Sequence, residues 1–132
     1  GEMLTQDPLL VDRTLEGGGP YQVQDDDLTV YRKPFLTTSA AGRALLATLR
    51  NLKLTTTTEE IASELSQWQG LTQVIWGTAD PWLPVELAET WAANLPNGQI
   101  TKLEEVGHYA QEDWAEKVVT VLLPFLKQMD VS

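Results

Sequence analysis

His108 is the only histidine in a chain of 132 residues, and it stands in the segment GHYAQED, residues 107–113. Asp80 stands upstream, in GTADPWLP, residues 77–84. An imidazole changes charge near neutral pH, so a single ring can take a proton and return it. A carboxylate bonded to one ring nitrogen fixes the tautomer and stabilises the imidazolium that forms. Acid–base work at one atom is therefore the chemistry open to this pair, provided the fold brings the two together. Taken singly, each residue has a plainer account. Asp80 opens an Asp-Pro turn, and His108 is a solvated loop residue.

The elements around them decide between these accounts. LTQVIWG (71–77) is a short apolar strand ending in glycine, and PVELAETWAANL (84–95) reads as a helix with Leu87, Ala88, Trp91 and Leu95 on one face. The turn PNG (96–98) stops it, and QITKLEEV (99–106) follows as a second strand. DWAEKVVTVLLPFLKQM (113–129) is a closing apolar helix that Pro124 is expected to kink or divide. Strand, helix, strand and helix form a β-α-β-α unit, which implies two parallel strands joined by a right-handed crossover. Loops after parallel strands emerge at the same, carboxyl, edge, where open α/β sheets place their sites. Neighbouring strands lie about 4.8 Å apart, so Asp80 and His108 are expected to meet.

Residues 1–68 differ in character: short helices joined by polar loops. LEGGGPYQVQDDD (15–27) breaks the chain with three glycines and a proline. Asp25, Asp26 and Asp27 lack the alternating oxygen ligands and closing glutamate of a calcium loop, so they read as a solvated run capping a helix from near Leu28. Ala41, Leu45, Leu46 and Leu49 share a helical stripe, with Thr38 or Ser39 as N-cap. Thr57 and Glu60 have capping-box spacing before Ile61, Leu65 and Trp68, which are expected to face inward. Ser39 has no flanking glycine and reads as a cap rather than a nucleophile.

Composition removes several function classes. A net charge of −10 argues against nucleic acid and against anionic membrane surfaces. With no cysteine there are neither disulfides nor thiolate zinc sites. No apolar run approaches the ~20 residues of a membrane span, and the first residues do not read as a signal peptide, so a cytoplasmic setting is expected. Neither a metal nor an organic cofactor is implied.

VIWGTADPWLP and EEVGHYAQEDWAEKV together resemble the acid loop and the histidine loop of the α/β-hydrolase-fold enzymes, and GHYAQED is similar to the histidine loop of the haloalkane dehalogenase and epoxide hydrolase branch. The resemblance runs from about Tyr31 onward and is clearest over 73–126. VYRKPF and its surroundings resemble that branch's helical lid. What the resemblance implies is a partial α/β-hydrolase fold, with residues 1–68 as lid and 69–132 as the last part of the core. It makes Asp80 the triad acid and His108 the base, although some members of the branch carry the acid after an earlier strand. Trp82 and Tyr109 become candidates for the substrate pocket, as does Trp76, which ordinary packing inside its strand explains equally well.

The family's nucleophile sits on a glycine-flanked elbow such as G-x-S-x-G, upstream of acid and histidine, and nothing in these residues matches it. The chain is therefore expected to be the lid and last two strands of a larger hydrolase, inactive by itself for want of a nucleophile and an oxyanion hole. A serine on the elbow would imply acyl transfer or C–C cleavage, and an aspartate would imply dehalogenation or epoxide opening. The apolar lid suggests a small, largely apolar substrate of ester, epoxide or haloalkane type. The unfilled sheet edge suggests either the missing N-terminal half or a second copy as partner. The competing class is a non-catalytic module that binds a protein partner or a lipophilic ligand.

Overall fold

The computed structural model describes residue 7 and residues 9–129. The described residues divide into two compact units, one falling within 1–17 and 22–55 and the other within 18–21 and 56–132. This division places residues 56–68 and the short segment 18–21 with the strands.

The first unit holds α1 (Leu10–Glu16), α2 (Asp25–Thr37) and α3 (Ser39–Asn51). A cation on α2 ties the first two together. Arg32 Nη1 donates to Asp12 Oδ2 at 2.6 Å, and the same guanidinium pairs with the Asp25 carboxylate. Asp12 is buried, and a buried carboxylate is tolerated only with such a partner. The Asp25 hydrogen bond, together with the charge of both acids, raises the Arg32 pKa against the lowering effect of its own burial. The three aspartates lie in the first turn of α2 rather than ahead of it, with Gln24 as N-cap. There their charge still complements the helix N-terminus. Thr38 caps α3 as expected, its hydroxyl accepting from the Ala40 N–H at 3.2 Å.

In the second unit lie most of α4 (Leu54–Leu65), then β1 (Thr72–Gly77), α5 (Val85–Asn94), β2 (Gly98–Leu103), α6 (Ala110–Asp113) and α7 (Ala115–Met129). β1 and β2 pair in parallel, with Thr72 opposite Gly98 and Gly77 opposite Leu103. Ala88, Leu95, Leu103 and Val106 are buried and form the core beneath this pair. The α/β class and the parallel pair are those the strand-helix-strand pattern implied.

Several expectations are corrected. α4 begins at Leu54, so Thr57 is not its N-cap, and Ile61 and Trp68 are 48% and 55% exposed rather than facing inward. The Trp68 indole instead donates to the Thr72 hydroxyl and packs against Gly70, where a Cβ would clash with its ring. Trp91 is likewise exposed and, with Ile61 and Leu65, borders an apolar recess. β2 stops at Leu103, short of residue 106, because Glu105 takes a left-handed backbone (φ 63°) that turns the chain back. The closing helix is divided at Trp114, whose backbone (φ −143°, ψ 51°) is not helical, and not at Pro124, which lies on an exposed face inside α7. Water can there satisfy the carbonyl that a proline leaves without a donor. Among the described residues, no helix is long and apolar enough to cross a membrane.

Candidate active site

The carboxyl ends of β1 and β2 are stitched together by backbone. Thr78 N–H donates to Leu103 O at 3.0 Å, and Ala79 N–H donates to Val106 O at 2.9 Å. The fit depends on Gly77, because a Cβ there would fall inside the van der Waals shells of the Val106 and Gly107 carbonyl oxygens. With the two loops locked edge to edge, Asp80 and His108 face each other.

Asp80 is held from three directions. Its Oδ1 accepts the N–H groups of Trp82 (2.9 Å) and Leu83 (3.0 Å), a turn built by the carboxylate itself. Its Oδ2 lies 2.8 Å from His108 Nδ1. Two backbone donors on one oxygen leave the other aimed at the ring. Nδ1–H therefore donates to the carboxylate, and the lone pair that can take a proton lies on Nε2. Burial alone would push the Asp80 pKa up. The Leu83 and Trp82 amides, with the His108 ring, more than offset it and hold the carboxyl below the usual range. The side chain is only 6% exposed against 30% for His108, so the acid is shielded while the base remains reachable.

Asp80 thus ionises more readily folded than unfolded, and its contribution to stability is present above the unfolded value of about 3.9. It is lost as pH falls through the lower folded value. The melting-temperature gap between wild type and Asp80→Asn is accordingly expected to be widest near neutrality and to close on acidification below about pH 4. Circular-dichroism melts between pH 7 and pH 3 measure it, and a gap that stays constant would contradict the carboxylate's role in the fold.

Aromatic rings surround the histidine. Trp82 stands edge-on to His108 at 4.9 Å between centroids, Tyr109 does so at 5.1 Å, and the two flanking rings are 5.9 Å apart. Burial, helped by the charges of Asp113 and Asp80, raises the Tyr109 pKa, so its hydroxyl stays protonated through neutral pH. Burial beside Glu112 likewise pushes Asp113 up. Next to the pair lies a recess of about 260 Å³ lined by Ile75, Trp76, Asp80, Leu83 and His108 among others. Trp76 borders it and donates its indole N–H to Leu83 O at 3.3 Å, which braces the acid turn. Trp82 and Tyr109 flank the ring but are not among the residues lining that recess.

Among the described residues no group of three or more histidine, aspartate or glutamate side chains is placed to hold a metal ion. Sequence reasoning missed the glycines. Gly18 O accepts the backbone N–H of His108 at 2.6 Å, and Gly19 packs against Gly107. The run GGG was readable as a chain break; its second meaning, a close backbone approach, is the other standard use of glycine.

A parallel strand pair with an acid turn after the first strand and a histidine loop after the second is part of the α/β-hydrolase fold, and this chain carries that part. A haloalkane dehalogenase loop variant from Bradyrhizobium elkanii superposes with a TM-score of 0.81 at 20% identity, over 98% of this chain and 45% of that one. An α/β-hydrolase-fold protein from Burkholderia ambifaria gives 0.78 at 23% identity, over 93% and 49%. A serine hydrolase involved in carbazole degradation gives 0.77 at 19% identity, over 92% and 48%. In sequence, a 2-hydroxy-6-oxononadienedioate/2-hydroxy-6-oxononatrienedioate hydrolase from Pseudomonas putida is 29% identical over 68 residues, 52% of this chain. The chain spans about a quarter of that relative's length, 24%. No family model matches the sequence.

Proposed function

We propose that this chain supplies the acid and the base of a hydrolase, with Asp80 as the acid and His108 as the base that activates a nucleophile or a water. The observation that carries the reading is the 2.8 Å contact between His108 Nδ1 and a shielded Asp80 carboxylate, at the shared carboxyl edge of two parallel strands. The nucleophile comes from polypeptide outside these 132 residues, since no glycine-flanked elbow occurs within them. If that nucleophile is a serine, His108 Nε2 takes the hydroxyl proton as the oxygen attacks and later returns it to the leaving group. If it is an aspartate, Nε2 takes a proton from the water that opens the covalent ester.

The substrate is small and largely apolar, of ester, epoxide or haloalkane type. Ile75, Trp76 and Leu83 in the recess, with the Trp82 and Tyr109 rings beside the base, support that class. The helices within residues 1–68 serve as its lid. The test is hydrolysis of p-nitrophenyl esters. The chain alone is expected to work no faster than free imidazole, whereas polypeptide carrying the nucleophile with this chain turns over and loses that activity on His108→Ala. Activity of the chain alone that disappears on Ser39→Ala would overturn the assignment.

A partner belongs to this reading. Among the described residues β1 and β2 pair only with each other, which leaves one side of β1 with unpaired backbone groups. Val119, Leu122, Leu123 and Leu126 on α7 are exposed as well. A two-stranded sheet is marginal unless something covers it. Either the nucleophile-bearing polypeptide or a second copy of this chain fills that side. Light scattering on the isolated chain is expected to give a dimer or larger, and a cooperatively melting 14.7 kDa monomer would refute self-association.

A further inference from the structure

Residues 18–21 belong with the strands, whereas the chain on both sides of them, to Gly17 and from Gln22, belongs to the helical unit. This short excursion grips the histidine segment at both ends. At one end the Gly18 carbonyl accepts the His108 backbone N–H at 2.6 Å. There the backbones touch: a Cβ on Gly19 would lie 2.7 Å from Gly107 Cα, and a Cβ on Gly107 would lie 2.7 Å from Gly19 Cα. At the other end the Tyr21 ring meets the Trp114 ring edge-on, with 6.1 Å between centroids and 67° between planes. His108, Tyr109 and the whole of α6 lie between these two anchors.

The Asp80 carboxylate hydrogen-bonds the histidine ring at one atom, Nδ1. That bond still depends on where the backbone sets the ring, since a displacement of about 1 Å lengthens a 2.8 Å contact beyond hydrogen-bond range. The backbone must therefore be fixed separately. The Val106 carbonyl is fixed by Ala79 N–H from the acid loop, and the His108 amide is fixed by the Gly18 carbonyl. Gly77, Gly107 and Gly19 permit three backbones to stack without side chains between them.

We propose that Gly18–Tyr21 is a positioning clasp for His108, which sets the backbone from which the ring reaches Asp80. The proposal rests on the acid–base reading of His108. Neither Gly18 nor Tyr21 touches the reacting nitrogen; they act through the histidine loop.

The test uses the 132-residue chain, whose single histidine gives one unambiguous set of ring resonances. Two NMR readouts are followed: hydrogen exchange of the His108 amide and the Nδ1–H proton of its ring. Gly19→Ala and Tyr21→Ala are expected to speed exchange of that amide by about tenfold or more and to broaden the Nδ1–H signal. Tyr21→Phe, which keeps the ring contact, is expected to restore both. Gly17→Ala is the control: Gly17 is exposed with φ −72° and ψ −7°, a conformation alanine adopts freely. If Gly19→Ala fails to fold by circular dichroism, Tyr21→Ala and Tyr21→Phe decide. Unchanged exchange and an unchanged Nδ1–H signal in folded Tyr21→Ala would overturn the clasp and leave the functional reading standing. Turnover that survives His108→Ala in the nucleophile-bearing polypeptide would remove the functional reading itself, with the NMR contrasts intact.

Discussion

Asp80→Asn is expected to lower turnover by about four orders of magnitude in polypeptide that carries the nucleophile together with this chain, with little change in KM. The side-chain oxygen that accepts from Trp82 and Leu83 is retained in asparagine, so the turn at 80–83 survives. What changes is the atom 2.8 Å from His108 Nδ1, which becomes an amide nitrogen that donates and cannot accept. Nδ1 must then present its lone pair, the ring proton moves to Nε2, and the nitrogen facing the nucleophile can no longer take a proton. The imidazolium also loses its neighbouring negative charge. His108→Ala removes the base altogether and is expected to reduce turnover at least as far, since the members of such a unit do not contribute additively. Steady-state kinetics on the two single variants and the double variant measure this. A double variant much worse than either single one would mean that the two residues act independently. A fall of tenfold or less for Asp80→Asn would remove Asp80 from the role of acid.

The part of the fold that carries this pair was legible because its signals are local. VIWG and ITKL are short runs rich in β-branched residues, the first ending in glycine and the second followed by a loop that contains one, and a helical stripe lies between them. Parallel strands then oblige the two loops to share an edge, and this geometric necessity brings Asp80 to His108. What was not legible depends on partners distant in sequence. Periodicity shows that Ile61, Leu65 and Trp68 share one side of a helix, but it cannot show whether another layer covers that side; Ile61 and Trp68 are exposed. Nothing in LEEVG marks Glu105 as the residue that turns left-handed and ends β2 early. The ion network of Arg32 with Asp12 and Asp25 joins residues twenty apart and leaves no motif. The glycines are the sharpest case. Three in a row read locally as a break, and only the fold shows that two of them lie against the backbone of the histidine loop.

Gly77→Ala is expected to destabilise the chain by about 3 kcal/mol, which for a domain of this size lowers the melting temperature by roughly 10 °C. A single methyl has this effect because of where it would lie. Gly77 is the last residue of β1, buried, and paired across the sheet with Leu103. Its missing Cβ points at the Val106 and Gly107 carbonyl oxygens, which are main-chain atoms and have no rotamer to escape into. Val106 is fully buried, and its carbonyl already accepts the Ala79 N–H at 2.9 Å, so moving it away breaks that bond and strands a buried carbonyl. The histidine loop is also in close backbone contact with Gly18 and Gly19, so displacing it disturbs the hydrogen bond to the His108 amide. The same substitution is thus expected to separate the His108 ring from Asp80 and to broaden its Nδ1–H resonance in whatever fraction remains folded. Gly17→Ala, in an exposed helical conformation, is the matched comparison and is expected to leave the melt within about 2 °C of wild type. If Gly77→Ala melts with Gly17→Ala, the close approach of β1 to the histidine loop is not what holds the two catalytic candidates together.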